Sequence, residues 1–205
     1  MRPKITQNER LYNIDIPVIG LTGGIATGKS TCSQIFEKKK LPVICADTLV
    51  KNIYQYPETI EFIASEVPLA VKDQQINFPL LRNEFFSDDS LKQRIEKFIY
   101  SHLQSEFINN VPADAALVIY DVPLLFEKNL QSKFDLTLLV YSDREIQKKR
   151  LLERDQISAE LAEKILSDQM DIEEKRKLSD FIIDNMGTQQ ELEEKVLNFI
   201  RHHIV

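Results

Sequence analysis

The chain has 205 residues and a formal net charge of −6 at pH 7, from 26 basic and 32 acidic side chains. At about 150 residues per domain this is one domain, with room for a small inserted subdomain. With 43% hydrophobic and 28% charged residues the chain can bury a core, which excludes wholesale disorder. No apolar run reaches the ~18 residues that span a bilayer. The first residues lack the apolar core of a signal peptide. The acidic balance argues against a broad nucleic-acid surface. Two cysteines, Cys32 and Cys45, fit no metal spacing and are too few for a disulfide scaffold. The expectation is a cytoplasmic monomer acting on small molecules, with neither a nucleic-acid nor a membrane partner.

Residues 1–16 are polar and irregular and read as a flexible or loosely packed N-terminal extension to a domain over 17–205. The first strand signal is 17–22, and a helix follows over about 30–40. Short apolar runs at 42–47, 115–121, 136–141 and 181–184 read as further strands. They are continuously apolar rather than alternating, which is the pattern of parallel strands covered by helices on both faces. The stretch between Asp47 and Ala115 has helical periodicity and is too long for a plain crossover. It predicts a helical subdomain over 50–114. Residues 144–180 are charged and helical, with a break near Ile157-Ser158. A closing amphipathic helix runs from Gln189, with Leu192, Val196 and Ile200 on one face.

Glycine is scarce and concentrated. Four of the five glycines are Gly20, Gly23, Gly24 and Gly28. The segment Gly23-Gly24-Ile25-Ala26-Thr27-Gly28-Lys29-Ser30 satisfies G-x-x-x-x-G-K-[ST], with a strand before it and a helix after it. Such a loop curls so that successive N–H groups point at phosphate oxygens, and the following helix adds its positive end. Lys29 can reach β- and γ-phosphates, and the Ser30 hydroxyl is placed to ligate Mg²⁺. Gly23, Gly24, Ala26, Thr27, Gly28, Lys29, Ser30 and the adjoining Thr31 are therefore the candidate ATP-binding set. Cys32, in the first turn of the helix, reads as a small buried packing residue.

Two carboxylates close strands. Asp47 ends the second apolar run, where open α/β sheets bind ligands. It could take a proton from an acceptor hydroxyl or hold Mg²⁺, and it could equally cap the helix that follows. Asp121 ends the third run, a common position near Mg²⁺, and also suits a turn.

Five blocks together resemble the dephospho-coenzyme A kinase family: LTGGIATGKST, ADTLVK, YDVPLLFE, the Gln147…Arg150…Arg154-Asp155 helix, and DQMDIEEKRKLSDFIIDNMG. Their order and spacing fit over roughly residues 17–190. The phosphate loop is shared with many kinases, whereas the VPLLFE and IIDNMG blocks are more specific. The resemblance implies a P-loop kinase core of the α/β class, a five-stranded parallel sheet in order 2-3-1-4-5, a helical acceptor domain and a helical lid over 144–180. It implies ATP-dependent phosphorylation of the ribose 3′-hydroxyl of dephospho-coenzyme A, the last step of coenzyme A synthesis, with Mg²⁺. By the same resemblance Asp47 activates the hydroxyl and Pro123, Leu124 and Leu125 line the acceptor pocket. Arg150 and Arg154 become lid arginines, and Asn185 and Gly187 lie in a loop near the adenine of ATP. Arg150 and Arg154 are i, i+4 and share a helix face, where they can meet the charge of a loose transition state.

The departures cluster on the acceptor side. Cys45 stands where the family often has aspartate, and Lys51 where it has an arginine. Asn77-Phe78 lacks the arginine usual there, leaving Arg82 nearby, and Tyr100-Ser101 replaces His-Pro. Lys51 and Arg82 are thus the acceptor-side cations the sequence retains.

Overall fold

The computed structural model describes residues 4–204. Its strands follow the apolar runs. Val18–Gly23 (β1) leads through the glycine loop into Lys29–Lys38 (α1), and Val43–Cys45 (β2) follows. Next come Ala46–Ile53 (α2), Pro57–Glu66 (α3), the two-residue strands Val71–Lys72 (β3) and Gln75–Ile76 (β4), Phe78–Ser87 (α4) and Asp89–Asn110 (α5). The chain continues through Val118–Asp121 (β5), Leu136–Tyr141 (β6), Arg144–Asp155 (α6), Ala159–Ser167 (α7) and Ile172–Leu178 (α8). It ends with Phe181–Asp184 (β7), Gln189–Phe199 (α9) and a wide turn over Ile200–Ile204.

Two units emerge, one made of the residues up to Cys45 and from Val111 onward, the other of Ala46–Asn110. In the first, five parallel strands lie in the order β2-β5-β1-β6-β7. The labels differ from the expected 2-3-1-4-5 because β3 and β4 form a separate antiparallel hairpin, which the sequence reading missed. Two-residue strands offer no periodicity to detect. In register, Ile19 faces Ile119 on one side and Leu136 on the other. The inner strands β1, β5 and β6 are buried at every position, while the edge strands β2 and β7 are only partly covered. Side chains of α1 and α9, among them Phe36, Leu192, Val196 and Phe199, pack on one face of this sheet. Burying each such residue is worth about 1.5–3 kcal/mol.

Helix starts in the first unit carry their own caps. The Asp143 side chain accepts from the Ile146 N–H at 2.8 Å, Ser158 from Leu161 at 3.2 Å and Asp171 from Glu173 at 2.8 Å. Thr188 and Glu191 form a reciprocal capping box. On the charged face of α6, Arg144 and Lys148 both pair with Glu163 of α7, at 2.8 and 2.7 Å.

The N-terminal extension, expected to be flexible or loosely packed, is instead anchored at Arg10. Arg10 is 3% exposed and pairs bidentately with Asp135, Nε to Oδ2 at 2.6 Å and Nη2 to Oδ1 at 3.0 Å. Asp135 also accepts from the Val18 and Lys4 N–H groups at 2.9 and 3.1 Å. A buried guanidinium needs such a partner, so the segment is tied down at a charge pair the local sequence could not reveal. Residues 1–3 of the extension lie outside the described residues.

In the second unit, Ile53, Ile63, Leu81, Ile95 and Ile99 form the core beside α2, α3, α4 and α5. The Asn77 side chain caps α4, accepting from the Leu80 N–H at 3.2 Å. Buried Glu106 accepts from the Tyr56 hydroxyl and from Asn52 Nδ2 at 2.9 Å. That bond to Glu106 pushes the Tyr56 phenol up to about 12 and holds the Glu106 carboxyl below its usual range.

Candidate active site

β1 runs directly into the glycine loop, so the loop sits at the carboxyl end of a central strand, where α/β sheets bind ligands. Gly28 has φ of +91°, and a Cβ there would collide with Asn185 Nδ2. Only glycine serves at this position, because a left-handed backbone and a close approach coincide. The loop braces itself through the Thr27 hydroxyl, which donates to the Gly24 carbonyl at 2.9 Å.

Three distant amides hold it from outside. Gln147 Nε2 of α6 donates to the Ile25 carbonyl at 2.8 Å, and Asn185 Nδ2 donates to the Thr27 carbonyl at 2.7 Å. Gln169 Oε1 accepts from the Ile25 N–H at 2.9 Å. The loop and the first turn of α1, residues 23–31, line a cavity of about 450 Å³ together with Pro123, Arg150, Arg154 and Gln169. The first N–H groups of α1 have no partner within the helix, so this cavity offers donors of the kind that bind anions.

Lys29 Nζ pairs with Asp121 Oδ1. Asp121 is 4% exposed, and its Oδ2 accepts from the Ser33 hydroxyl at 3.0 Å. The expected Mg²⁺ carboxylate is thus engaged by Lys29 and Ser33, while Ser30 is exposed at the cavity. Cys32 is fully buried, and burial together with Asp121 pushes its thiol up. It is a packing residue, as expected.

Arg150 lines the cavity, but its guanidinium is held. Nη1 donates to the Ser142 hydroxyl at 2.9 Å and Nη2 to the Asn185 carbonyl at 3.0 Å. Arg154 is exposed and forked onto its neighbour Asp155 at 2.6 and 2.9 Å. The Asn185 side chain, which the resemblance puts near the adenine of ATP, is buried and buttresses the loop through the Thr27 carbonyl. Gly187 lies on a separate hollow with Met186, Glu191 and Lys195. Leu125, expected to line the acceptor pocket, is fully buried where a Cβ on Gly20 would strike it. Its neighbour Leu124 is 40% exposed, and Pro123 lines the loop cavity. The alternation at this turn separates two leucines that the motif treats alike.

In the second unit Asp47 sits inside the first turn of α2 rather than capping it. Its carboxylate is exposed and makes no hydrogen bond or ion pair to any described residue. It lines a hollow of about 820 Å³ with Lys51, Val50, Tyr54 and Phe78 among others, where Tyr54 and Phe78 meet edge to face at 5.3 Å. Arg82 is exposed on α4 and does not line that hollow.

A parallel sheet, a glycine loop feeding a helix, and a lysine and serine at its mouth define a P-loop nucleotide-binding fold. The family model described as dephospho-CoA kinase matches residues 17–191. The dephospho-CoA kinase of Oceanobacillus iheyensis is 35% identical over 196 residues, covering 90% of this chain and 96% of that protein. Among solved structures, TT1252 from Thermus thermophilus superposes with a TM-score of 0.82 at 27% identity, over 93% of this chain and 98% of its own. A dephospho-CoA kinase from Campylobacter jejuni gives 0.68 at 25% identity, over 90% and 95%. The chain belongs to the dephospho-CoA kinase family, kinases that use ATP to phosphorylate dephospho-CoA in coenzyme A synthesis. Among the described residues no helix is long and apolar enough to cross a membrane.

No sequence motif marks Gln169, and Gln147 is marked only by its place in the resemblance. A neutral amide carries no motif of its own. The only available signal was that both lie within the blocks that carry the family likeness.

Proposed function

We propose that this chain transfers the γ-phosphoryl group of ATP to the ribose 3′-hydroxyl of dephospho-coenzyme A, with the following division of labour. The braced glycine loop holds the triphosphate, and Lys29 leaves Asp121 to meet the β- and γ-phosphates. Ser30 and the Asp121 oxygen freed by that exchange suit Mg²⁺, which takes few protein ligands and keeps phosphate oxygens and waters. Mg²⁺ supplies neutralisation of phosphate charge. Asp47 accepts the proton of the acceptor hydroxyl. This role is supported by its exposed carboxylate, free of partners among the described residues. The unit Ala46–Asn110 receives the acceptor, and its hollow pairs Lys51 with the aromatic Tyr54 and Phe78. Residues 144–180 act as the lid, with Arg150 and Arg154 supplying positive charge to the transition state. Working in the cytoplasm suits this chemistry.

The observation that carries the reading is a braced phosphate loop inside a family match that spans most of the chain. The test is a coupled assay of ADP release with Mg-ATP and dephospho-coenzyme A, adenosine or AMP. Turnover confined to dephospho-coenzyme A is expected. Turnover only with another acceptor overturns the acceptor assignment and leaves the donor half standing.

A further inference from the structure

Lys175 of α8 has no solvent exposure at all. Burying an ammonium costs several kcal/mol unless it is paired, and an apolar pair of the same volume is often as stable. Stability alone therefore gives no reason for a lysine here. Lys175 Nζ pairs with Glu127 Oε1 at 2.7 Å and donates to the Pro123 carbonyl at 3.1 Å. The Thr22 hydroxyl at the end of β1 donates to that same carbonyl at 3.2 Å. A carbonyl oxygen has two lone pairs, and both are taken. Proline offers no N–H, so its carbonyl is the one backbone hydrogen-bonding group that Pro123 itself presents. Pro123 lines the phosphate-loop cavity and is followed by exposed Leu124. Glu127 Oε1 also accepts from the Met170 N–H at 3.2 Å, and Glu127 Oε2 is buried without a partner among the described residues. The carboxylate is therefore incompletely satisfied, as befits a group kept to orient Lys175 rather than to add stability.

We propose that Lys175, oriented by Glu127, is a positioning residue for phosphoryl transfer: with Thr22 it clamps the Pro123 carbonyl and fixes the Pro123-Leu124 ledge against the phosphate loop. This rests on the proposed transfer to dephospho-coenzyme A, together with the acceptor-lining role that the family resemblance implies for Pro123 and Leu124. The loop itself is braced by Gln147, Gln169 and Asn185, and the Thr22 donor touches none of the three, so loss of that donor acts on the ledge and leaves ATP binding intact.

The test uses the full chain with the double substitution K175M/E127L, which removes the clamp without stranding a buried charge, and with T22V, which removes only the second donor. Readouts are thermal stability, the ATP dissociation constant by calorimetry, and kcat and KM for dephospho-coenzyme A. A misplacement near 1 Å costs about 100-fold, so kcat/KM for the acceptor should fall ~10–100-fold in the double variant and several-fold in T22V. ATP affinity should stay within about threefold in both. Should the double variant fail to fold, T22V alone decides. Unchanged acceptor kinetics in T22V, or in a folded double variant, overturns the proposal. So does an equal loss of ATP affinity, which would place the clamp's effect on the loop. A wild-type protein that transfers nothing to dephospho-coenzyme A refutes the functional reading instead.

Discussion

Gly28 and Asn185 should be energetically coupled, and the size of the coupling follows from the geometry. In Gly28→Ala the new Cβ lies on Asn185 Nδ2, at a backbone φ of +91°. The left-handed conformation costs an L-residue about 1–2 kcal/mol. Displacing Asn185 takes its 2.7 Å bond from the buried Thr27 carbonyl and leaves only the Ser142 hydroxyl at 3.5 Å, for about 1–3 kcal/mol more. The single change therefore costs about 2–5 kcal/mol. Asn185→Ala removes the same hydrogen bond and costs about 1–3 kcal/mol. In the double variant the collision is gone and the lost bond is counted once. The total should thus fall short of the sum by about 1–3 kcal/mol. The assay is urea unfolding of the nucleotide-free protein, followed by circular dichroism because the chain has no tryptophan. Strict additivity would refute the buttress. So would an Asn185→Ala protein of native stability that binds ATP poorly, since that is the signature of a ligand contact.

The remaining predictions concern the anchor, the acceptor carboxylate and the thiols. Arg10→Met leaves Asp135 buried and unpaired, and should cost about 3–5 kcal/mol at pH 7 by urea unfolding. Burial alone would raise the Asp135 pKa, but the bonds from Arg10 and Val18 outweigh it and hold it low. Its stabilisation is therefore complete above the unfolded value of about 3.9 and is lost as pH falls through the lower folded value. The deficit of Arg10→Met should shrink over that acid range, and a pH-independent deficit would contradict the pairing. Asp47→Asn should lower kcat by ~10²–10⁴-fold while ATP affinity survives, and a matching loss of ATP affinity would make it a metal or structural group. In the native protein a thiol reagent should label half-buried Cys45 well before fully buried Cys32, as peptide mass spectrometry would report; comparable rates would refute the packing role.

Much of the site was legible because its signals are local. The glycine loop, Lys29 and Ser30 fall in one motif whose spacing has a physical purpose, and all of them line one cavity. The apolar runs of β1, β5 and β6 were legible for a similar reason, since inner parallel strands are covered on both faces and cannot alternate. The hairpin β3-β4 was not legible, because two residues per strand make no pattern. Asp47 could have been a cap or a free carboxylate, and only the helix start at Ala46 separates the two.

The sequence by itself determined the fold class, the phosphate loop and the family, because backbone conformation and hydrophobic period are written in neighbouring residues. The tertiary structure decided what holds that loop in shape. Gln147, Gln169 and Asn185 reach it from more than a hundred residues away, and Arg10 finds Asp135 across a similar separation. It also decided which leucine faces solvent after Pro123 and which carbonyl the buried Lys175 meets. Such partners are chosen by the need to satisfy buried polar groups once the chain has packed, and no local pattern encodes that choice.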